Sequence, residues 1–448
     1  MTTLRIEGGT VVTVGPKGIV RDGTVVVENG TIVDVGKTAE LKRKYSSYEK
    51  INAEGKVVIP GLINTHQHAA MSLLRGYADD YPLKEWLENW IWPLEKCMNG
   101  RDIYVGALLT AVDSIMGGTT TVNTMYHYMK DGNEAEAFAK AGLRGVVGHV
   151  CFSWRKDKDR AALKALARDW HGKANGLIRV SVDPHAAYTV DPEYMKELRD
   201  ITKELNDQYG SPDSPIMWHI HAAETEDEAE KVRTAFNVSF KGSVVEYLDS
   251  LNVLRSDVIA AHGVSLSQKD IRILKEKGVK VSHNPVSNLK LASGVSPVPS
   301  LLNAGVTVAL GTDSPCSNNN SDMFEVMKVT ALLQKGVNKN PTLLPAEQVL
   351  RMATVEGAKA LLWDRRIGSI ETGKDADVAI ISFKKPHLSP MYNEISHLVY
   401  SARAADVDTV LVKGKIVMED REVKTVDVHK VMEKAEKTKE KLLTRLAQ

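Results

Sequence analysis

The 448-residue chain carries 58 Lys and Arg against 57 Asp and Glu, a formal charge of +1, with 43% hydrophobic and 26% charged residues. That balance excludes a disordered or fibrous chain and offers no electrostatic footprint for nucleic acid or an anionic membrane. The length suits two or three domains, or one large barrel with an attachment.

The opening MTTLRIEGGTVVTV has no basic segment leading into an apolar run, so no signal peptide is expected. No stretch approaches the ~18 consecutive apolar residues of a spanning helix. The cysteines, Cys97, Cys151 and Cys316, are far apart and odd in number. They argue against a disulfide framework or a cysteine zinc site and for a cytoplasmic protein. Any metal must then be held by His and carboxylates.

Residues 1–57 read as short strands, with Glu28-Asn29-Gly30 between two Val-rich runs as a hairpin signal. Residues 58–369 change rhythm, with short apolar runs alternating with helical stretches. Strands are expected over 57–65, 119–124, 143–150, 177–183, 216–221, 257–262, 279–283 and 306–312. Helices are expected over 101–117, 192–208, 226–238, 322–335 and 345–360. This βα alternation predicts an α/β fold, a (β/α)8 TIM barrel. Residues 370–448 return to strands (375–383 and 409–418, turning at Gly414) and end in a charged helix, 428–448, read as solvated. Both ends together would make a small β-sandwich beside the barrel.

In such a barrel the chemistry lies at the C-terminal ends of the strands. Strand one ends in Thr65-His66-Gln67-His68, where residues two apart point the same way, so both imidazoles can face one metal. Strand five ends in His219-Ile220-His221 with Glu224 three residues on, strand six at His262, and strand eight in Gly311-Thr312-Asp313. Three His nitrogens (His66, His68, His221) and one carboxylate (Asp313) suit one divalent ion, zinc first and ferrous iron as the alternative, with a position left for water. Such an ion lowers the pKa of water from 15.7 towards ~7. Asp313 could both bind it and take the water's proton, Glu224 could pass a proton to a substrate nitrogen, and His262 could steady the attacking oxygen.

Val58-Ile59-Pro60-Gly61-Leu62-Ile63-Asn64-Thr65-His66-Gln67-His68 resembles the first-strand signature of the amidohydrolase superfamily. His221-x-x-Glu224, His262, Gly311-Thr312-Asp313-Ser314 and the 367–377 segment, IGSIETGKDAD, are similar to its later motifs. The resemblance implies a mononuclear site, because no lysine stands on strand four. Within the superfamily the chain is most similar to the S-adenosylhomocysteine/methylthioadenosine deaminases, closest to their 5′-deoxyadenosine deaminase branch. Leu74-Arg75-Gly76, Glu85-Trp86-Leu87, Trp92-Pro93-Leu94-Glu95 and Pro184-His185-Ala186-Ala187-Tyr188-Thr189 carry that likeness.

The resemblance implies hydrolytic deamination of a 5′-substituted adenosine by a cytoplasmic homo-oligomer, a dimer or a tetramer. Its partner would be a small purine nucleoside, with no nucleic acid and no membrane. Glu95 would hold ribose hydroxyls, His185 would contact the nucleoside, and Asp313 and Glu224 would also touch it. Trp86 is the preferred aromatic wall for a purine; Trp90 and Trp92 can equally be packing. Arg155 and Arg160 are candidates for a homocysteine tail, although their charge run, 153–160, also reads as a solvated loop. His219, one layer deeper, and His283 are expected to give support. His127, His149, His171, His387, His397 and His429 are expected to lie outside the site. Another amidohydrolase with the same metal set (a guanine or cytosine deaminase, or a triazine hydrolase) and a non-catalytic scaffold are the rival readings.

Overall fold

The computed structural model describes residues 3–448. Eight parallel strands in sequential order form the barrel: Leu62–Gln67, Thr119–Tyr126, Arg144–Cys151, Ile178–Pro184, Met217–Ala222, Val258–His262, Lys280–His283 and Val308–Leu310. They are called the first to eighth barrel strands below. The first and eighth are joined mainly through side chains. Asn64 Nδ2 donates to Thr312 Oγ1 (2.7 Å), Thr65 Oγ1 to Leu310 O (2.9 Å), and the Asp313 N–H to His66 O (2.9 Å). This seam sets two site residues, His66 and Asp313, side by side.

The run expected as one strand over 57–65 is two strands, Lys56–Pro60 and Leu62–Gln67. The first of them belongs to the end unit, where it pairs antiparallel with Val378–Ser382 and parallel with Thr3–Val12. The chain passes into the barrel at Gly61, where a Cβ would lie 2.1 Å from Thr120 Oγ1. Both chain ends thus build one β unit, a continuous nine-stranded sheet with a core of its own that includes Leu4, Ile6, Val25, Val58, Val378 and Leu411. Asn29-Gly30 and Lys413-Gly414 are both two-residue turns with positive φ at each position, the geometry that matches strand twist.

A buried ion network fixes this sheet to the floor of the barrel. Arg144, at the start of the third barrel strand, donates to Asp377 (2.8 Å) and Asp375 (3.1 Å), and all three are almost fully buried. Removing one partner strands a charge in low dielectric, which costs about 3–5 kcal/mol. Arg144→Ala is therefore expected to lower Tm by several degrees and leave substrate KM unchanged; an unaltered melting curve would contradict this.

Helices start where the local chemistry supplies caps. Asn99 and Asp102 form a capping box on Gly100–Met116, and Asp191 caps Pro192–Tyr209, with proline at its first position. The helix expected over 345–360 is two, Ala346–Met352 and Val355–Ala360, broken where Thr354 leaves helical φ/ψ. The stretch 153–160 is no loop: a 3-10 turn at Ser153–Arg155 leads into the helix Lys156–Trp170. The C-terminal helix, Val428–Leu446, is not simply solvated. Its Ala435 and Leu442 join the apolar cluster containing Trp86, Ile91 and Leu94, and Arg445 pairs with Asp102 at 2.8 Å. Met432 and Leu443 stay exposed, so only one face is used. No helix among the described residues is long and apolar enough to cross a membrane.

Candidate active site

The strand ends bring the expected donor residues together. His66, His68 and Asp313 each offer a ligand atom within 4.8 Å of the others, and so do His66, His221 and His262. His66 Nε2 lies 3.1 Å and His68 Nε2 3.4 Å from Asp313 Oδ1, while His68 Nε2 and His221 Nε2 are 3.2 Å apart.

The far side of each ring explains which nitrogen faces inward. His68 Nδ1–H donates to Met125 O (2.8 Å), His221 Nδ1–H to His185 O (2.7 Å), and His262 Nδ1–H to Asn288 Oδ1 (2.8 Å). His66 Nδ1 is paired with His219 Nε2 at 2.8 Å. With these protons turned outward, the Nε2 lone pairs converge on one another, a repulsive arrangement that a cation relieves. His66 Nε2 is buried without a hydrogen-bond partner. Three or four imidazole nitrogens and one carboxylate fit zinc or another divalent ion of similar preference.

The backbone is strained at the same places. His262 (φ 77°), Asp313 (φ 62°) and Ala223 (φ 55°), between His221 and Glu224, all lie in the left-handed region that non-glycine residues avoid. The turn at Ala223 is held by the N–H groups of Val264 and Ser265, which both donate to its carbonyl (2.8 Å each). Asp313 is held by Ser287 Oγ, which donates to Oδ2 (2.6 Å), and by its contact with the Ser314 N–H at Oδ1 (2.7 Å).

Two carboxyls of this cluster are pushed in opposite directions. Burial would raise Asp313, but His66 and His68 beside it hold it well below the usual carboxylate range. Burial raises Glu224, opposed by His262, whose Nε2 is 4.0 Å from Glu224 Oε1. The first direction favours the ionised form of Asp313 and the second the protonated form of Glu224.

Above the donors lies a cavity. Glu95, Trp86 and Trp92 line it from the first βα loop, His185 and Tyr188 from the segment after the fourth strand, and Glu224, His262 and Asp313 from its floor. Trp86 is locked in place, its indole N–H donating to Ala78 O (2.9 Å). Burial pushes the Glu95 carboxyl up, partly offset by Tyr126, His68 and Arg155. His185 is pushed down to about 3 by burial and by His68 and His262, so it is neutral at ordinary pH. Its carbonyl accepts from both the backbone N–H and Nδ1–H of His221, tying the rim to the donor set.

Trp90 is not in this wall; it stacks on Tyr81 (5.1 Å between ring centres). Arg155 does not line the cavity but contacts His127, which does, donating to its Nδ1 (3.0 Å), and lies 3.4 Å from Asp159. Arg160 is not brought to the cavity: it is engaged with Asp157 (2.6 Å) and Glu197 on the helix surface. His283 is fully buried with neither nitrogen hydrogen-bonded. His149, His171, His387 and His397 are bonded elsewhere, to Asp159, Ser214 O, Asp406 and Asn393 O.

His127, expected outside the site, lines the cavity, as does Phe152, which stacks on His185 (4.9 Å). Both follow directly on the ends of the second and third barrel strands, and that position alone could have flagged them. Ser287 and Asn288, which orient Asp313 and His262, carried no such signal because they lie in the short helix after strand seven.

A model of the amidohydrolase family matches residues 57–417. The chain is 44% identical to a 5′-deoxyadenosine deaminase from Methanosarcina mazei over 451 aligned residues, covering 100% of each chain. It is also 44% identical to a 5-methylthioadenosine/S-adenosylhomocysteine deaminase from Thermoanaerobacter pseudethanolicus, covering 95% of this chain and 96% of that one. Among solved structures, an adenosine deaminase from Xanthomonas campestris with bound zinc superposes with a TM-score of 0.90 at 32% identity, covering 99% of both chains.

Proposed function

The chain belongs to the amidohydrolase family, and from that premise we propose that it is a metal-dependent deaminase of 5′-substituted adenosines. It converts 5′-deoxyadenosine, 5′-methylthioadenosine, S-adenosylhomocysteine and adenosine itself to the inosine analogues and ammonia. One observation carries the reading: inward-facing imidazoles and an Asp313 carboxyl held low lie beside a buried Glu224 whose carboxyl burial raises, beneath a cavity with Glu95 and His185 in its wall. The named relatives act on nucleosides of this kind.

His66, His68, His221 and Asp313 would hold the ion, which we assign as zinc from the donor set and from the zinc in the Xanthomonas relative, with ferrous iron as the alternative. When bound, it supplies a water acidic enough to lose a proton near neutral pH. Asp313 takes that proton. Glu224 delivers its own to purine N1, which makes C6 more electrophilic at the moment of attack. His262 Nε2, free to accept because its Nδ1 proton points to Asn288, orients the attacking water. The proton held by Asp313 then goes to the departing amino group, and the remaining proton of the C6 hydroxyl passes back to Glu224 as the C6 carbonyl forms, so water is consumed, ammonia is released and both carboxyls are restored. Glu95 accepts from the ribose hydroxyls and neutral His185 contacts the nucleoside without repelling the donors' charge. Trp86 forms the apolar wall against the base.

The three unpaired cysteines, two of them buried, support a cytoplasmic setting. A free base or triazine has no ribose, so Glu95 separates this reading from the other mononuclear hydrolases. Glu95→Ala should raise KM for 5′-deoxyadenosine by about 10–100-fold, the loss of a hydrogen bond to a charged group. An unchanged KM, or faster turnover of guanine, cytosine or a chlorotriazine than of any nucleoside, would sink the assignment.

A further inference from the structure

We propose that Asp183, acting through His219, is a positioning residue for His66: it fixes the proton order that leaves His66 Nε2 free for the metal. The proposal rests on His66 being a ligand. A ligand bound through Nε2 must carry its proton on Nδ1, and the group facing His66 Nδ1 is His219 Nε2, 2.8 Å away. His219 must then accept at Nε2, which places its own proton on Nδ1. That proton needs an acceptor inside the barrel, where both rings are fully buried.

Two groups face His219 Nδ1. Asn123 Nδ2 is 3.2 Å away, but an amide nitrogen only donates: one of its hydrogens goes to Thr65 O (2.9 Å), and the other can meet Nδ1 only in the alternative tautomer, with the His219 proton on Nε2. The other is Asp183 Oδ2, 3.7 Å away. Asp183 is fully buried at the end of the fourth barrel strand, and neither of its oxygens has a hydrogen-bond partner. A buried carboxyl with no partner is costly unless something uses it. The barrel makes room for it deliberately: a Cβ on Gly148, on the adjacent third strand, would lie 1.6 Å from Asp183 Oδ2. Gly148 is thus a packing concession to this carboxylate and not to a turn.

Charge points the same way. A divalent ion held by neutral imidazoles and Asp313 alone keeps one uncompensated positive charge; burial raises the Asp183 carboxyl and His219 beside it opposes that, and on ionising Asp183 would supply the second negative charge. Asp183, His219 and His66 form a series, so metal affinity should respond to any link in it.

The test is zinc affinity of the metal-free protein, measured by competition with a chromophoric chelator and without substrate. Asp183→Asn, which keeps volume, and His219→Leu should each weaken zinc binding by about 10–100-fold. Because the groups act in series, the double variant should be no weaker than His219→Leu alone. A purely structural role would instead lower the melting temperature of the metal-free protein and leave zinc affinity unaltered. Asp183→Asn binding zinc within about twofold of the wild type would overturn the proposal. If that variant does not fold, ¹⁵N-histidine spectra of the unaltered zinc form decide: a proton on His219 Nδ1 is expected, and one on Nε2 would overturn the proposal. Wild-type protein that fails to bind zinc would overturn the metal reading as well.

Discussion

Glu224→Gln is expected to lower kcat by about 10²–10⁴-fold, the usual contribution of a positioned acid, while zinc stays bound and nucleoside KM changes little. Gln has the shape of Glu and can still meet N1 with a hydrogen bond, but it has no acidic proton to transfer. No hydrogen bond ties this side chain to the donor cluster: His262 Nε2 lies 4.0 Å from its Oε1. The pH profile gives a second reading. In the proposed reaction Glu224 works in its protonated form, and burial raises its pKa above the ordinary carboxylate value. Activity should therefore fall as pH rises through that raised pKa, and the Gln variant should lose this alkaline limb while keeping its residual rate. An unchanged kcat would remove Glu224 from the chemistry.

Asp313→Ala should have the largest effect, because in the proposed reaction one carboxylate serves two purposes. Its Oδ1 faces His66 and His68 Nε2, at 3.1 and 3.4 Å, and would both bind the ion and receive the water's proton. Losing the acceptor alone costs about 10²–10⁴-fold in kcat, and the weakened ion site multiplies that. The pair of variants is diagnostic: Glu224→Gln holds zinc with low turnover, whereas Asp313→Ala loses both, measured by elemental analysis after gel filtration. Asp313→Ala with full zinc and near wild-type turnover would contradict the assigned role.

Much of this site was legible in the sequence because barrel chemistry occupies strand ends, and strand ends can be read from the limits of apolar runs. His66, His68, His221, His262 and Asp313 lie at such limits or immediately after them, and the fold brings them together. All eight strands were located, but their edges were not: Lys56–Pro60 reads as a continuation of the first barrel strand because Gly61 leaves no hydrophobic gap. What determines the break is a Thr120 side chain nearly sixty residues away, which no local pattern reveals.

The misjudged elements have similar causes. The charge run around Arg155 and Arg160 reads as a solvated loop, yet its charges pair across to Glu197 and inward to buried Asp159, so a helix forms. The C-terminal helix is mostly charged, yet it buries Val431, Ala435 and Leu442, and the last two seat it on the apolar cluster beside Glu95. His127 could not be separated from His149 by composition; what distinguishes it is its place just past the end of the second barrel strand, whereas His149 lies within the third. The partners of the imidazole Nδ1 atoms, two backbone carbonyls, His219 and Asn288, are contributed by tertiary packing.

The most direct test follows ammonia and nucleoside product together when 5′-deoxyadenosine is mixed with protein stripped by a chelator and then reloaded with one equivalent of zinc. The reloaded protein should release ammonia and 5′-deoxyinosine in equal amounts, and the stripped protein neither. Protein that holds its equivalent of zinc and releases no ammonia from any 5′-substituted adenosine would contradict the assignment.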